Sequence, residues 1–470
     1  MQDPYYERDW FMGGSKATAF EGDASISAFR VKNGKASFKQ RYVLTERLLA
    51  ERKAGRALFG IAKAPFTHHP CVRALVDGAP NTNVIVHAGK LLALGEGGAP
   101  YDLDPNTMAT GGYDPFPGQL PYRKPYTAHP HVNPKTGELV GFGYNLKGVE
   151  SPDCTVTVLD KYGKQIFQRE VEMPLPGLIH DCAITDNYIV LMQMPFIADC
   201  KGLEEPGGHI WTYHESVPSW WGLVPRDQSK SVRWFKWNNA MATHTGASWE
   251  EDGKVYFDTV LASANTLTFL PTKKLPSKPK ENGEVSVVYA KFQIDPEAET
   301  DTLEDPETLV DVPCEFPRID ERFLTEKNRV TFLACFRPES TLDPSLVFQG
   351  LNVLARYDYE TKKLEMFSPG PGCLVQEPCF SPRSPNAAEG DGFLITMIDN
   401  IPEGRNEVII QDTRDFQKVV ARIILPFRLR SAVHGNWVDS ERIPDTGPFI
   451  EPFPDIYKLP SLSEARMPAA

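Results

Sequence analysis

Ten histidines occur in 470 residues, and four of them share a local setting that the others lack. These are His129, His180, His244 and His434. His129 precedes Asn133-Pro134-Lys135-Thr136-Gly137 and the run Leu139-Val140-Gly141-Phe142, and His180 precedes Thr185-Asp186-Asn187 and Tyr188-Ile189-Val190-Leu191. His244 lies ahead of Glu251-Asp252-Gly253 and Lys254-Val255-Tyr256-Phe257, while His434 sits in Val433-His434-Gly435-Asn436-Trp437 after Pro426-Phe427. Neutral imidazole is the commonest protein ligand for a metal, so four in recurring settings are candidates for one centre. A single histidine of this kind is more often a hydrogen-bonded core or turn residue; the recurrence is what points to a metal. His68 and His69 are adjacent, which in a strand sends them to opposite faces; His131 lies two residues after His129, a spacing that can share its face, and His87, His209 and His214 lack the recurring setting. All six are set aside.

Residues so far apart in sequence need an architecture that brings equivalent positions to one place. With 41 prolines and 35 glycines the chain has little room for long helices, and short β-rich runs separated by polar turns recur along its length. Ala28–Val31 turns at Asn33-Gly34 into Ala36–Phe38, and Thr157–Leu159 turns at Asp160–Gly163 into Lys164–Phe167. Ala355–Tyr359 is set to pair with Lys363–Phe367, and Glu407–Ile410 with Val419–Ile424. Many antiparallel hairpins in one unbroken chain predict an all-β propeller, because radial repetition leaves few exposed strand edges. In a propeller the inner strand of each blade starts near the axis, where equivalent histidines converge. One propeller domain spanning 1–470 is the expectation, with long loops over one face at Cys200–Arg226 and Pro271–Pro276.

Composition narrows the partners. A formal net charge of -12, without a cluster of Lys and Arg, argues against nucleic acid, which requires a basic face. The eight cysteines form no CxxC pair, which excludes a zinc ribbon or a thioredoxin-type motif. They read as reduced thiols. The polar N-terminus and the lack of any stretch of about 18 apolar residues lead to the expectation of a cytoplasmic protein.

The segments Thr127-Ala128-His129-Pro130, Ile179-His180-Asp181-Cys182, His244 to Trp249-Glu250, and Pro426-Phe427 with His434-Gly435-Asn436-Trp437 occur in order. Further blocks are Phe20-Glu21-Gly22-Asp23, Leu58-Phe59-Gly60, Ala93-Leu94-Gly95-Glu96-Gly97-Gly98, Glu315-Phe316-Pro317-Arg318, Gln376-Glu377-Pro378 and Glu389-Gly390-Asp391-Gly392. In these the chain resembles the carotenoid cleavage oxygenase family, most closely its lignostilbene- and resveratrol-cleaving branch. The resemblance implies a seven-bladed β-propeller with loops and short helices capping one face. It implies one Fe(2+) per chain on His129, His180, His244 and His434, with Glu96, Glu315 and Glu377 as carboxylate partners of the imidazoles. Thr82 would place its methyl near a vacant iron position. The implied reaction uses O2 to cleave a conjugated C=C bond of a hydrophobic small molecule into two carbonyl products. An inactive ligand-binding propeller and an oxygen-independent isomerase or hydrolase are the alternatives.

Two departures bear on substrate and closure. The stilbene-cleaving branch holds the substrate's 4-hydroxyl with a lysine directly before the first glutamate and a tyrosine after the Phe-Gly block; this chain has Gly95 and Ala62 there. An apolar pocket does not discriminate for a hydroxyl, so a non-phenolic stilbene, a styrene or an apocarotenoid is expected. Restoring Tyr at 62 and Lys at 95 is then the expected route to phenol recognition. The family's usual N-terminal segment is expected to be missing ahead of the Phe20-Glu21-Gly22-Asp23 block.

Overall fold

The computed structural model describes residues 22–204, 209–275, 285–337, 350–430 and 432–443. Phe20, Glu21, Pro276 and both chain ends lie outside the described residues. Among those described, strands dominate, and the single α-helix is Glu46–Ala54. That helix starts on Thr45, whose side chain accepts the Leu48 N–H, and stops on Gly55 at φ 65°, a left-handed cap that glycine adopts without a Cβ clash.

The predicted hairpins form. Ser25–Lys32 pairs with Lys35–Tyr42 in the register Lys32↔Lys35, because Asn33 and Gly34 both take positive φ, as a two-residue turn matched to strand twist requires. Val353–Asp358 pairs with Lys363–Phe367, and Arg405–Asp412 with Val419–Ile424. The described strands make seven sheets, six of four to six strands and one two-stranded hairpin. The expected count of seven blades is thus corrected to six full sheets among the described residues. Among the described residues, the strands Ser25–Lys32 and Lys35–Tyr42 pair as strands with each other alone.

The chain divides into two compact units, Met1–Val132 with Gly137–Glu170 and Val438–Ala470, and Asn133–Thr136 with Val171–Trp437. In the first, Leu92, Leu94, Phe116, Tyr126, Leu139 and Leu159 form one buried cluster. In the second, another buried cluster holds Trp221 tilted against the stacked rings of Phe257 and Phe292, each aromatic burial contributing about 1.5–3 kcal/mol.

The stretch Cys200–Arg226, expected as a loop, instead supplies the strands Trp211–His214 and Ser219–Pro225. Ser219–Pro225 is covered on both faces, so it lacks the polar-apolar alternation that reveals a strand in sequence. Gly222 is needed there because the Trp234 ring would lie 2.7 Å from any Cβ. Part of Pro271–Pro276 likewise forms the short strand Thr272–Lys273.

Candidate metal centre

Two functional histidines owe their direction to one device, which recurs beside Glu315. The register between Gly177–Ile184 and Tyr188–Ala198 slips between Ile179 and Cys182, where two intervening residues oppose one, and His180 is one of the two. The same slip falls between Ala242 and Thr245, at His244. A third falls between Glu315 and Arg318. A bulge inserts one unpaired residue, bends the strand and re-aims the side chain. His180 and His244 therefore sit inside strands, each ahead of the turn that opens the next strand, as their sequence settings suggested.

In the second unit Nε2 of His180 lies 3.1 Å from Nε2 of His244, which lies 3.2 Å from Nε2 of His434. Nδ1 of His244 is 2.7 Å from Oε2 of Glu315, and Nδ1 of His434 is 3.0 Å from Oε1 of Glu377. A carboxylate accepts a proton donor, so each Nδ1 carries the hydrogen and each Nε2 keeps its lone pair. The lone pairs of His244 and His434, facing one another at 3.2 Å, repel unless a cation sits among them. The donor set thus fits a divalent transition ion, and nitrogen-only ligation suits iron as well as zinc or copper.

The carboxylates are held as firmly as the imidazoles. Glu315 also accepts the Thr243 hydroxyl and the Phe316 N–H. Burial favours its neutral form, yet His244 and these donors draw its carboxyl below the ordinary range. Burial likewise opposes charge on His244, but Glu315 raises that imidazole above its usual value. Glu377 accepts the Gly435 N–H at 2.9 Å. Against the effect of burial, His434 and Arg318 bring Glu377 down to about 2. Burial, with His244 and His180 nearby, lowers His434 and keeps it neutral.

The first unit places the remaining predicted residues. His129 is buried and fixed through its backbone, its N–H donating to Thr127 Oγ1 at 2.9 Å. Asn83 donates to the Ala128 carbonyl at 2.9 Å. Glu96 follows the strand Lys90–Leu94 and accepts the Tyr144 hydroxyl at 2.6 Å. Thr82 is half-buried, its N–H bonded to the Leu94 carbonyl and its hydroxyl to Asn81 Oδ1. Four of the histidines set aside hold backbone instead, His69 and His209 by accepting the Cys71 and Trp211 N–H groups. His68 accepts the Gly60 N–H and meets Asp77, and His87 meets the Asp160 carbonyl.

Sequence reasoning missed four residues of the centre. Asp181 accepts the Thr245 N–H at 2.7 Å and the Thr245 hydroxyl at 2.8 Å, tying the strand of His180 to that of His244. Phe316, at φ 56°, packs its ring against His244 and His434 with centroids 5.3 and 5.4 Å away. Arg318 reaches Glu377 and the Gly435 carbonyl, and Thr243 binds Glu315. Asp181, Thr243 and Phe316 adjoin a predicted residue in sequence and Arg318 lies three residues from one, a signal that could have marked them.

Residues 4–439 match a family profile described as retinal pigment epithelial membrane protein. The chain belongs to this family, that of the carotenoid oxygenases. Among its relatives, resveratrol cleavage oxygenase 1 of Botryotinia fuckeliana (strain B05.10) is 41% identical over 431 residues, covering 89% of this chain and 76% of the relative. Lignostilbene-alpha,beta-dioxygenase isozyme III of Sphingomonas paucimobilis is 32% identical over 450 residues, covering 94% and 89%. The crystal structure of Pseudomonas brassicacearum lignostilbene dioxygenase superposes with a TM-score of 0.82 at 35% identity, over 89% of this chain and 87% of that one. This carotenoid oxygenase accordingly has the all-β propeller fold that its hairpins predict. Among the described residues, no helix of it is long and apolar enough to cross a membrane.

Proposed function

We propose that this carotenoid oxygenase is a non-haem iron(II) dioxygenase that splits a conjugated C=C bond with O2. The observation that carries the reading is the pairing of His244 with Glu315 and His434 with Glu377, which leaves their Nε2 lone pairs, with His180 Nε2, facing a common point. In this reading His129 of the first unit is the fourth ligand, and Glu96 is the third carboxylate. When bound, iron(II) supplies the position at which dioxygen is activated, and both oxygen atoms end in the two carbonyl products.

The chain's own residues do the rest. Glu315 and Glu377 fix tautomer and ring orientation and make the imidazoles better donors. Thr82 restricts one approach to the ion with its methyl group. Phe316 covers the imidazole faces, and a water-poor surround strengthens each charge contact. Substrate follows from Ala62 and Gly95, which offer no hydroxyl partner, so the class is a stilbene-, styrene- or apocarotenoid-type molecule without a required phenol. Eight free thiols fit a reducing, cytoplasmic setting.

The deciding experiment supplies iron to the full chain. It follows O2 uptake and loss of conjugated absorption with resveratrol, a non-phenolic stilbene, isoeugenol and an apocarotenal. Aldehyde formation matched to O2 uptake is expected, and His180→Ala should lose most of the iron. Turnover without O2, or zinc at full occupancy when iron is offered, would sink the reading.

A further inference from the structure

The first unit holds an enclosed ammonium group that no role above accounts for. The loop after Phe59 is laced by its own side chains. Ile61 N–H donates to Thr67 Oγ1, Gly60 N–H to His68 Nδ1, and Lys63 N–H to Asp77 Oδ2, each at 2.9 Å. The same Asp77 oxygen takes His68 Nε2 at 3.0 Å. These bonds hold Lys63 at φ 63°, a left-handed backbone that lysine seldom adopts. Its Nζ lies 3.3 Å from the centre of the Tyr144 ring. It is shut off from solvent with no hydrogen-bond acceptor among the described residues.

Tyr144 in turn donates its hydroxyl to Oε2 of Glu96 at 2.6 Å. A cation over an aromatic face is attracted to it, and it draws electron density from the ring, which strengthens the O–H as a donor. The same charge balances the Glu96 carboxylate in a place where an unpaired carboxylate is costly. Gly95, next to Glu96, cannot carry such a cation, since a Cβ there would stand 2.2 Å from the Ala79 carbonyl oxygen.

We propose that Lys63 and Tyr144 are positioning residues for Glu96: the Tyr144 hydroxyl fixes the carboxylate, and the Lys63 ammonium holds the ring and balances the charge. This rests on the reading of Glu96 as a carboxylate of the metal centre. Burial lowers Lys63 from 10.5 to about 8, with Glu96, Asp77 and Cys154 opposing that shift. Of the other groups around it, burial raises both the Cys154 thiol and the Tyr144 phenol, so both stay protonated. The lysine charge is therefore present below about 8 and lost above it.

The test uses the full chain labelled with 13C at lysine Cε, in metal-free and iron-loaded form. One resonance should titrate near 8 and disappear in Lys63→Arg. In Glu96→Gln it should titrate about 1 unit lower, the effect of removing a nearby opposite charge. In the iron-loaded enzyme, the alkaline fall of kcat should move upward in Lys63→Arg, which stays charged. Tyr144→Phe should lower kcat about 10-fold at unchanged KM, as loss of a carboxylate's support does. Wild type inactive on every substrate would defeat the oxygenase reading alone, because the metal-free titration still reports the link to Glu96. A Lys63 resonance titrating in the ordinary lysine range, or unmoved by Glu96→Gln, would overturn the proposal even if Tyr144→Phe failed to fold.

Discussion

Nδ1 of His244 stands 2.7 Å from Oε2 of Glu315; His244 lies within a bulge of Met241–Glu251, and Glu315, in register with Ala334, directly precedes a bulge in Cys314–Ile319. Two strands of different sheets thus meet in this contact where their pairing is, or is about to become, irregular. The contact decides which nitrogen of His244 carries the proton, and so which one can bind a metal.

Glu315→Gln removes that charge while leaving shape and most packing intact. Its iron affinity or turnover should fall about 10- to 100-fold, the usual cost of losing a carboxylate behind a ligating imidazole. Chelator competition and kcat, with far-ultraviolet circular dichroism to check the fold, measure the effect. Unchanged affinity together with unchanged turnover would refute the role of Glu315.

Gly95 is set by close approach, since an added Cβ would lie 2.2 Å from the Ala79 carbonyl oxygen, and at Gly97 one would lie 2.7 Å from Gly78 Cα. Restoring lysine at 95, the route to phenol recognition suggested by the sequence, meets backbone instead of a flexible side chain. Gly95→Ala should cost about 1–3 kcal/mol, the range for overpacking, and Gly95→Lys at least as much. Denaturant unfolding of the two variants against wild type is the check, and equal midpoints would show that the Gly78–Ala79 segment yields freely.

Without a hydroxyl partner at Ala62 or Gly95, a 4-hydroxystilbene and its hydroxyl-free analogue should react with kcat/KM within about 10-fold of each other. A site built to pair the hydroxyl separates such analogues by about 10^4. Side-by-side kinetics on the two compounds decide it. Strict dependence on the hydroxyl would mean that another residue holds it.

Asp258 is fully buried on Lys254–Ala262, with Oδ2 accepting the Tyr359 hydroxyl at 2.5 Å and the Tyr289 hydroxyl at 3.5 Å. Burial raises its carboxyl from 3.8 to about 7, against the hydrogen bonds of the two tyrosines. The folded state therefore binds the extra proton between those values, and the associated stability, complete below 3.8, is lost as pH rises through about 7. Asp258→Asn should flatten this dependence, narrowing the difference in Tm between about pH 5.5 and about pH 8 by about 2–4 °C. Differential scanning calorimetry at both values tests it, and an undiminished difference would assign the pH dependence elsewhere.

Strand periodicity, turn residues such as Asn33-Gly34, and the four recurring histidine settings were enough to predict an all-β propeller and the ligand candidates. These are local signals, written by neighbours a few residues apart, and the hairpin registers follow from them directly. The strand Ser219–Pro225 was not legible, because a segment buried on both faces carries no alternation to read. Nor were the bulges at His180, His244 and Phe316, since an extra residue in a strand is defined only by the partner it fails to match. Asp181, Phe316 and Arg318 gain their roles from residues distant in sequence, and the space that forbids a side chain at Gly95 is made by Ala79. The sequence by itself determined which residue types are available and which elements they form. Only the tertiary structure decided which nitrogen faces which, because that depends on pairing between strands and on backbone proximity that no local pattern encodes.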